Sequence, residues 1–472
     1  MERIKTDVLV IGAGSGGLSV AAGASQMGAS VVLLESGEMG GDCLNYGCVP
    51  SKALLAAAKM AHLTANSDVF GVAAETPQVN YARVMEHVAE TIAAIAPIDS
   101  QERFEGLGVR VIRSFGKFIS PREVEAGGHV ITARRVVIAT GSSPAVPPIP
   151  GLDDVPYLTN ETLWSLREAP RHLLIIGGGP VGMEMAQAHV RLGCAVTVIE
   201  AGQLLGRDDA ELTAVLRDRL AAEGVAFAVG SAVTGLRPAG DGIEISTEDG
   251  HTYTGSHLLL ATGRRANIAG LGLEAAGIET TATGIRTDAG LRTSNRRVYA
   301  IGDAAGGLQF THVAGYHAGV IIRSMLFGLP SKSATHHIPR VTYTDPELAQ
   351  VGLTEAEARK EYGNRVDVAR FDFAENDRAV AERKTTGFIK VLVVRGRPVG
   401  ASIVGAGSGD LIALWALALA NRLKMRHVAA MVAPYPTIGE VNKRAAGAYF
   451  SPRLFESRTV KRAVGLVQRW LP

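Results

Sequence analysis

Two cysteines, Cys43 and Cys48, lie five positions apart in a segment that continues to Pro50 and Lys52. A four-residue spacer can bring two sulfur atoms within bonding distance on a turn or at the start of a helix. Pro50 and Lys52 favour a helix that begins nearby, and its N-terminus would stabilise a thiolate. The competing interpretation treats both cysteines as small buried apolar residues. A zinc site is not predicted, because no second ligand pair of suitable spacing follows, and no metal site is expected.

The sequence twice shows a strand followed by a glycine turn and a helix, and each of these patterns is a candidate dinucleotide site. The glycines of each Gly-x-Gly-x-x-Gly motif are Gly12, Gly14 and Gly17 in the first pattern and Gly177, Gly179 and Gly182 in the second. In such motifs the first glycine permits the turn, the second lets a pyrophosphate approach the backbone, and the third lets the helix pack on the strand. Since the cysteines follow the first motif, the pattern predicts a redox-active disulfide beside a flavin.

An acidic residue ends the second strand of each pattern, Glu35 in the first and Glu200 in the second. This is the spacing of a carboxylate that binds ribose hydroxyls. A carboxylate at 200 would repel a 2′-phosphate, so NAD(H) is predicted as the nicotinamide cofactor and NADP(H) is less favoured. The two patterns together predict that the chain binds two dinucleotides.

Composition excludes several classes of protein. Forty-eight basic and 46 acidic residues give a net charge of +2 without a basic patch, so no nucleic-acid partner is expected. Three cysteines are too few for a disulfide-stapled secreted scaffold, and the first residues lead directly into an apolar strand without a secretory signal. A cytoplasmic location is therefore predicted. The apolar stretch from Leu411 to Ala420 is too short to span a membrane and predicts a buried helix.

The 472 residues predict several domains. A proline-dense connector from Pro144 to Gly151 marks the first boundary, and later shifts follow Arg265 and Pro330. We expect an α/β fold with two Rossmann-like domains and a C-terminal α+β domain. The expected ranges are 1–150 for the FAD-binding domain, 151–267 for the NAD(P)H-binding domain, 268–335 for a second part of the FAD or central domain, and 336–472 for a dimerisation domain.

The chain resembles the class I pyridine nucleotide-disulfide oxidoreductases over almost its whole length. Beyond the motifs above, the resemblance rests on four further segments, which are Val137–Gly141, Leu260–Gly263, Thr293–Asp303 and Thr344–Glu347. It implies an FAD-dependent, homodimeric oxidoreductase with a redox-active disulfide.

The resemblance also implies roles for individual residues. Asp303 would bind the ribityl chain of the flavin, and Lys52 and Glu184 would form an ion pair near flavin N5. Cys48 would be the thiolate beside the flavin, and Cys43 the exposed sulfur that exchanges with substrate. Further cofactor contacts would come from Gly41, Thr140, Gly141, Gly263 and Gly302.

Tyr435 departs from the pattern of dithiol-handling relatives, which carry a histidine there as acid and base and supply it across the dimer interface. Glu440 of the same segment is retained. A phenol with a pKa near 10 accepts protons poorly at neutral pH, whereas an imidazole near 6.5 is well matched. Mercuric reductases also carry tyrosine at this position, but their paired C-terminal cysteines are missing, because no cysteine follows Cys194. Cys194 itself is predicted to be structural.

These observations predict a flavoenzyme of dihydrolipoamide dehydrogenase-like type, in which electrons pass from nicotinamide through FAD to Cys43 and Cys48 and on to a small-molecule or protein-bound disulfide. One alternative is a mercuric reductase-like enzyme that reduces metal ions, quinones or other small oxidants. Another is a redox-sensing flavoprotein with little turnover. Residues 459–472 predict an amphipathic basic helix that either packs on protein or associates weakly with a membrane surface.

Overall fold

The computed structural model describes residues 1–471. The chain forms two compact units, each built from separate stretches. Unit 1 contains Met1–Gly177, Ala188–Ile199 and Ser231–Ala334, and unit 2 contains Gly178–Gln187, Glu200–Gly230 and the chain from Thr335 onward.

Strands and helices alternate over most of the chain. The strands are β1 (Glu2–Ile11), β2 (Val31–Leu34), β3 (Val109–Ile112), β4 (Lys117–Ser120), β5 (Glu123–Ala126), β6 (His129–Ile138), β7 (Ser142–Pro144), β8 (His172–Ile176), β9 (Ala195–Glu200), β10 (Val225–Val229), β11 (Val233–Ala239), β12 (Gly242–Thr247), β13 (Thr252–Gly255), β14 (His257–Leu260), β15 (Arg264–Ala266), β16 (Val298–Ala300), β17 (Arg340–Thr342), β18 (Glu347–Gly352), β19 (Asp367–Asp372), β20 (Phe388–Val394) and β21 (Arg397–Gly405). The helices are α1 (Ser15–Gln26), α2 (Gly41–Asn45), α3 (Cys48–Ala65), α4 (Tyr81–Ile95), α5 (Gln101–Gly106), α6 (Pro180–Arg191), α7 (Ala210–Ala222), α8 (Thr311–Phe327), α9 (Glu355–Tyr362), α10 (Asp377–Ala381), α11 (Ser408–Ala420), α12 (Met425–Ala429), α13 (Glu440–Ser451) and α14 (Arg458–Trp470).

The largest sheet of unit 1 has the order β3-β2-β1-β6-β5-β4, with β16 added along β6. Its strands β3, β2, β1, β6 and β16 run parallel, and β5 and β4 form an antiparallel edge. All four residues of β2 are buried, as expected for a parallel strand covered on both faces. Helices α1 and α8 pack together within this unit, and Gly16 and Gly23 of α1 leave room for side chains of the facing elements.

A second parallel arrangement in unit 1 joins β14, β8 and β9, with Leu173 opposite Val196 and Leu258 opposite Leu174. The antiparallel sheet β11-β12-β13 follows it in the chain. Strand β15 pairs with β7, which brings together the two segments that begin after Gly141 and Gly263.

Unit 2 contains the antiparallel sheet β17-β18-β21-β20-β19. Helix α11 packs on β18 and β21, and its Trp415 is fully buried and donates from Nε1 to Oδ1 of Asn442 at 2.7 Å. The predicted strand over 388–394 and the predicted helix over 411–420 are confirmed, but the helix is buried on one face only, because Leu417 is 60% exposed. The α/β fold class with an α+β C-terminal region is confirmed as well.

The chain after α13 continues through a π-helical turn, Pro452–Glu456, into α14. No helix within residues 1–471 is long and apolar enough to cross a membrane.

Candidate functional site

The first glycine turn leaves no space for side chains at two of its three motif positions. Gly12 has φ +105°, and a Cβ there would lie 2.4 Å from the carbonyl oxygen of Ala139. A Cβ on Gly17 would lie 1.9 Å from the carbonyl oxygen of Gly12. Gly14 is the N-cap of α1 and provides no side-chain cap, so the first N–H groups of this helix are not capped by their own N-cap residue.

Glu35 is fixed by backbone groups on both of its carboxylate oxygens. Oε2 accepts from the N–H of Ala13 at 2.6 Å, and Oε1 accepts from the N–H of Gly37 at 2.7 Å. Strand β2 ends one residue earlier, so the carboxylate stands at the carboxyl edge of the sheet. Each oxygen retains a lone pair that a ribose hydroxyl can use.

The cysteine segment is joined directly to this glycine turn. The N–H of Gly40 donates to the carbonyl oxygen of Ala13 at 3.0 Å, and Gly14 and Gly40 form a parallel bridge. Gly41 has φ +62°, and a Cβ there would lie 2.8 Å from Cα of Gly14. The glycine at 41 is therefore required for α2 to begin against the turn.

Cys43 lies in α2, and Cys48 is the first residue of α3, which confirms the predicted helix start. Both cysteines are thiols here. Contact with Cys48 and burial raise the pKa of the Cys43 thiol. The Sγ of Cys48 lies 3.4 Å from Oγ1 of Thr311, the first residue of α8, which the sequence did not single out.

The exposure of the two thiols runs opposite to the roles expected for them, since Cys48 is exposed and Cys43 is half-buried. A flavin on the Cys48 side would cover that sulfur. The assignment of Cys43 to substrate and Cys48 to flavin therefore stays a prediction.

Asp42, directly before Cys43, is paired. Its Oδ1 lies 3.0 Å from a guanidinium nitrogen of Arg264 and accepts from Nδ2 of Asn160 at 3.0 Å. An unpaired carboxylate beside a thiol would raise the pKa of that thiol, and the guanidinium offsets this charge. Arg264 directly follows Gly263 of a motif that the sequence did highlight, but its partner could not be foreseen.

Arg264 also reaches the segment of Asp303. Its Nε donates to Oγ of Ser142 at 2.7 Å, and this hydroxyl donates to Oδ2 of Asp303 at 2.5 Å. Burial raises the pKa of Asp303, although the hydrogen bond from Ser142 and the charge of Arg264 act in the opposite direction. One guanidinium thus links the residue before Cys43 to the residue expected at the ribityl chain.

The neighbouring cofactor candidates are backbone positions that shape this region. Gly302 has φ +59° and donates its N–H to Nδ1 of His317 at 3.2 Å. Thr140 donates from Oγ1 to the carbonyl oxygen of Asn267 at 2.6 Å, and Gly141 accepts from the N–H of Asn267 at 2.9 Å.

The second glycine motif repeats the features of the first. Gly177 has φ +112°, and a Cβ there would lie 2.4 Å from the carbonyl oxygen of Ala261. Gly179 has open space where a Cβ would be, and Gly182 is buried in the first turn of α6. Glu200 accepts from the N–H groups of Gly178 and Gly202, each at 2.7 Å, as Glu35 does in the first motif.

Of the remaining catalytic candidates, Lys52 belongs to unit 1, and Glu184, Tyr435 and Glu440 belong to unit 2. Lys52, in the first part of α3, donates to Oγ of Ser51 at 3.3 Å. Glu184 is buried in α6 and accepts from the N–H of Tyr343 at 2.9 Å. The predicted ion pair between Lys52 and Glu184 stays a prediction.

Tyr435 is exposed, and its hydroxyl donates to Oδ2 of Asp377 at 2.8 Å. This hydrogen bond to a carboxylate raises the pKa of Tyr435. Glu440 begins α13 and lies 3.9 Å from Arg444. A phenol held in this way keeps its proton at neutral pH and cannot replace a histidine base.

Cys194 is buried, which fits its predicted structural role, and burial raises its pKa to about 11. Within residues 1–471 no group of three or more histidine, cysteine or acidic side chains is arranged to hold a metal ion.

The residues of the first motif fit a flavin dinucleotide. The turn has no room for side chains at Gly12 and Gly17, the N-cap of α1 contributes no side-chain bond, and Glu35 presents both oxygens at the sheet edge. These are the features that bind a pyrophosphate and a ribose.

Comparison with known proteins gives matches over nearly the whole chain. The family model "Pyridine nucleotide-disulphide oxidoreductase" matches residues 6–318, and the dimerisation domain of the same family matches residues 338–446, which supports a homodimer. The mercuric reductase of Streptomyces lividans is 34% identical over 457 residues, covering 94% of this chain and 96% of the relative. The dihydrolipoyl dehydrogenase of Geobacillus stearothermophilus is also 34% identical, over 455 residues and the same shares of each chain.

Solved structures of flavoprotein disulfide reductases and related proteins also match nearly the whole chain. LpdA from Mycobacterium tuberculosis matches with a TM-score of 0.87 and 26% identity, covering 95% of this chain and 100% of that chain. The Cu(II) complex of the HOCl-induced flavoprotein disulfide reductase RclA from Escherichia coli matches with a TM-score of 0.84 and 25% identity, covering 94% and 99%.

Proposed function

Because the chain belongs to the pyridine nucleotide-disulphide oxidoreductase family, whose members are FAD-dependent oxidoreductases that use NAD(P)H, we propose that it reduces a small oxidant other than an organic disulfide. Thiophilic metal ions such as Hg(II) or Cu(II), and quinones, are the acceptor classes. The observation that carries this proposal is the hydrogen bond from Tyr435 to Asp377. It keeps the phenol protonated where dithiol-handling relatives carry a base.

The proposed electron path uses Cys43 and Cys48. FAD, when bound, supplies the two-electron relay between the nicotinamide and the disulfide. One NADH and one proton convert the disulfide to two thiols. The thiols then give two electrons to one Hg(II), to two Cu(II) ions or to one quinone, and they re-form the disulfide. Their two protons go to solvent for a metal ion or to the oxygens of a quinone.

Several residues support this path. Gly12, Gly14, Gly17, Glu35 and Gly41 would hold the dinucleotide of FAD. Lys52 would place a positive charge near flavin N5, where reduced flavin and thiolate gather negative charge. The other proposed FAD contacts are Thr140, Gly141, Gly263, Gly302 and Asp303.

We propose NADH as the preferred reductant. Gly177, Gly179 and Gly182 would hold its pyrophosphate, and Glu184 would act with Lys52 at the flavin. The carboxylate of Glu200 is held by two backbone N–H groups and would repel the 2′-phosphate of NADPH.

A disulfide substrate of the lipoamide type is the second candidate. The observation in its favour is the equal identity of the chain to a dihydrolipoyl dehydrogenase and to a mercuric reductase.

We also propose that the chain acts in the cytoplasm and that its domains are divided at the predicted boundaries near residues 150, 267 and 335.

Anaerobic reduction by NADH or NADPH, followed by reoxidation with single acceptors, tests the proposal. Lipoamide, glutathione disulfide, Hg(II), Cu(II) and a quinone are compared by the return of oxidised-flavin absorbance. We expect a metal ion or the quinone to reoxidise the enzyme at least tenfold faster than either disulfide. Faster reoxidation by lipoamide would reject this function in favour of the second candidate.

Two variants make the acceptor test specific. Cys43→Ser should still be reduced by NADH but should lose reduction of the preferred acceptor, which excludes direct transfer from flavin. Tyr435→His should raise lipoamide turnover at least tenfold if the missing base limits it, because general base catalysis contributes factors of this size or more. An unchanged lipoamide rate in Tyr435→His would show that Tyr435 does not determine the acceptor.

A further inference from the structure

Helix α14 follows the region that matches the dimerisation domain and has no buried residue. The segment before it contacts the rest of unit 2, because Arg453 lies 2.7 Å from the carboxylate of Asp367 and its guanidinium stacks 3.8 Å from the ring centre of Tyr449. Beyond these contacts, Phe455 is 69% exposed. The helix therefore begins after the last contacts with unit 2 and presents its side chains to solvent.

One face of α14 is apolar. At 100° per residue the apolar side chains fall on one side of the helix, and they are Val460, Ala463, Val464, Leu466, Val467, Trp470 and the adjoining Leu471. Val464 is 53% exposed, Leu466 61% and Trp470 81%. Large apolar side chains grouped in this way on an exposed helix indicate a surface that binds an apolar partner.

The opposite face is cationic. Arg458, Lys461, Arg462 and Arg469 lie on it, and no acidic residue occurs between Arg458 and Leu471. A helix that packs against a second protein surface gains nothing from a uniformly cationic outer face. An anionic bilayer uses both faces at once, because the acyl region takes the apolar side chains while the long basic side chains reach the headgroups.

We propose that α14 binds the surface of anionic membranes and lies in the plane of the headgroups. Its 13 residues span about 20 Å, which is too short to cross a hydrocarbon core of about 30 Å. Trp470, at the C-terminal end of the apolar face, has the amphipathic ring that favours the interface. The proposal does not depend on which electron acceptor the enzyme uses.

Co-sedimentation of the full-length holoenzyme with vesicles tests this proposal. Vesicles of phosphatidylcholine with an equal share of phosphatidylglycerol are compared with vesicles of phosphatidylcholine alone, at low salt. We expect at least tenfold tighter binding to the anionic vesicles and a several-fold loss in 0.5 M salt. No association of the intact protein with anionic vesicles would overturn the proposal.

Two matched pairs of substitutions separate the roles of the faces. Val464→Glu with Val467→Glu changes the apolar face, and Gly465→Glu with Gln468→Glu makes the same change of charge on the polar face. We expect the first pair to reduce vesicle binding at least tenfold more than the second pair. Equal losses would mean that charge alone drives binding, which contradicts the proposed insertion.

The competing occupant is a second copy of the chain. Light scattering of the same variants measures the oligomeric state, and we expect the two pairs to leave the dimer intact. A shift to monomer in Val464→Glu with Val467→Glu, without vesicle binding by the unmodified protein, would assign α14 to the subunit interface instead.

Discussion

At the scale of single residues, the charge beside the candidate redox cysteines is the informative feature. Asp42 adds a carboxylate next to Cys43, and Arg264 neutralises it at 3.0 Å while donating to Ser142. We therefore expect Arg264 to act on the thiol through Asp42, as a positioning residue. Since it also lies 4.0 Å from Asp303, its loss would remove a positive charge from both Asp42 and Asp303.

Arg264→Gln should raise the pKa of the Cys43 thiol, because the carboxylate of Asp42 then acts unopposed. We expect the pH profile for alkylation of the NADH-reduced enzyme by iodoacetamide to move up by about one unit, which corresponds to about 1.4 kcal/mol. The matched control is Arg264→Gln combined with Asp42→Asn, which should return the profile towards that of the unmodified enzyme. An unshifted profile in Arg264→Gln would show that the ion pair has no electrostatic role at the thiol.

At the scale of elements, the first glycine turn positions both the cofactor candidates and the cysteine segment. The turn is fixed by the Glu35 carboxylate and by backbone contacts, and a side chain at Gly17 would overlap the carbonyl oxygen of Gly12. Only glycine therefore fits at position 17, and helix α1 cannot approach the sheet with a larger residue there.

Gly17→Ala should displace α1 from the sheet and reduce FAD retention. Forcing an extra carbon into a packed site costs about 1–3 kcal/mol, so we expect a lower thermal midpoint and less than a tenth of the normal flavin content after purification. Flavin absorbance relative to protein absorbance measures the content. Ser19→Ala on the exposed side of α1 should retain full flavin content, and normal flavin content in Gly17→Ala would contradict the packing argument.

The sequence predicted those elements that depend on local pattern. The helix that begins at Cys48, the strand Phe388–Val394 and the helix over 411–420 follow from caps, spacing and apolar runs. Thr311 could not be predicted as a neighbour of Cys48, because the two are 263 positions apart and meet only through the packing of unit 1. The pairing of Asp42 with Arg264 was missed for the same reason.

At the scale of the whole molecule, a cluster of ion pairs around the buried Lys390 joins several elements of unit 2. Lys390 has a side chain only 3% exposed, and its Nζ lies 2.9–3.0 Å from the carboxylates of Asp209, Glu211 and Glu355. These residues belong to β20, to the N-cap and first turn of α7, and to the first turn of α9. One cation thus joins three elements that are far apart in the chain.

Lys390→Met should destabilise the protein by about 3–5 kcal/mol, because it leaves the buried carboxylate of Asp209 without its cation. A urea titration followed by near-ultraviolet circular dichroism measures the change. Lys384→Met removes an exposed lysine that pairs only at the surface with Glu382, and it should change stability by no more than about 0.5 kcal/mol. Similar midpoints for the two variants would show that the cluster does not stabilise unit 2.

The same cluster sets a pH window for stability. Burial would raise the pKa values of Glu211 and Glu355, but their bonds to Lys390 and to arginines lower them below 4.5. Burial would lower the pKa of Lys390, but the three carboxylates raise it above 10.5. The carboxylates therefore contribute to the free energy of unfolding above pH 4.5, and this contribution is lost as the pH falls through their lowered pKa values. The lysine contributes to it below pH 10.5, and this contribution is lost as the pH rises through its raised pKa. Urea midpoints should fall at both extremes, and in Lys390→Met the alkaline fall should be smaller.

The two backbone hydrogen bonds of Ala13 limit which insertions and deletions the following loop can accept. Its N–H donates to Glu35 and its carbonyl oxygen accepts from the N–H of Gly40, so a single residue fixes both ends of the loop between Glu35 and the helix of Cys43. Insertions or deletions within residues 36–39 would release both ends together. We therefore expect that Glu35 and the two cysteines can be exchanged between homologues only together, within one segment that covers residues 12–52.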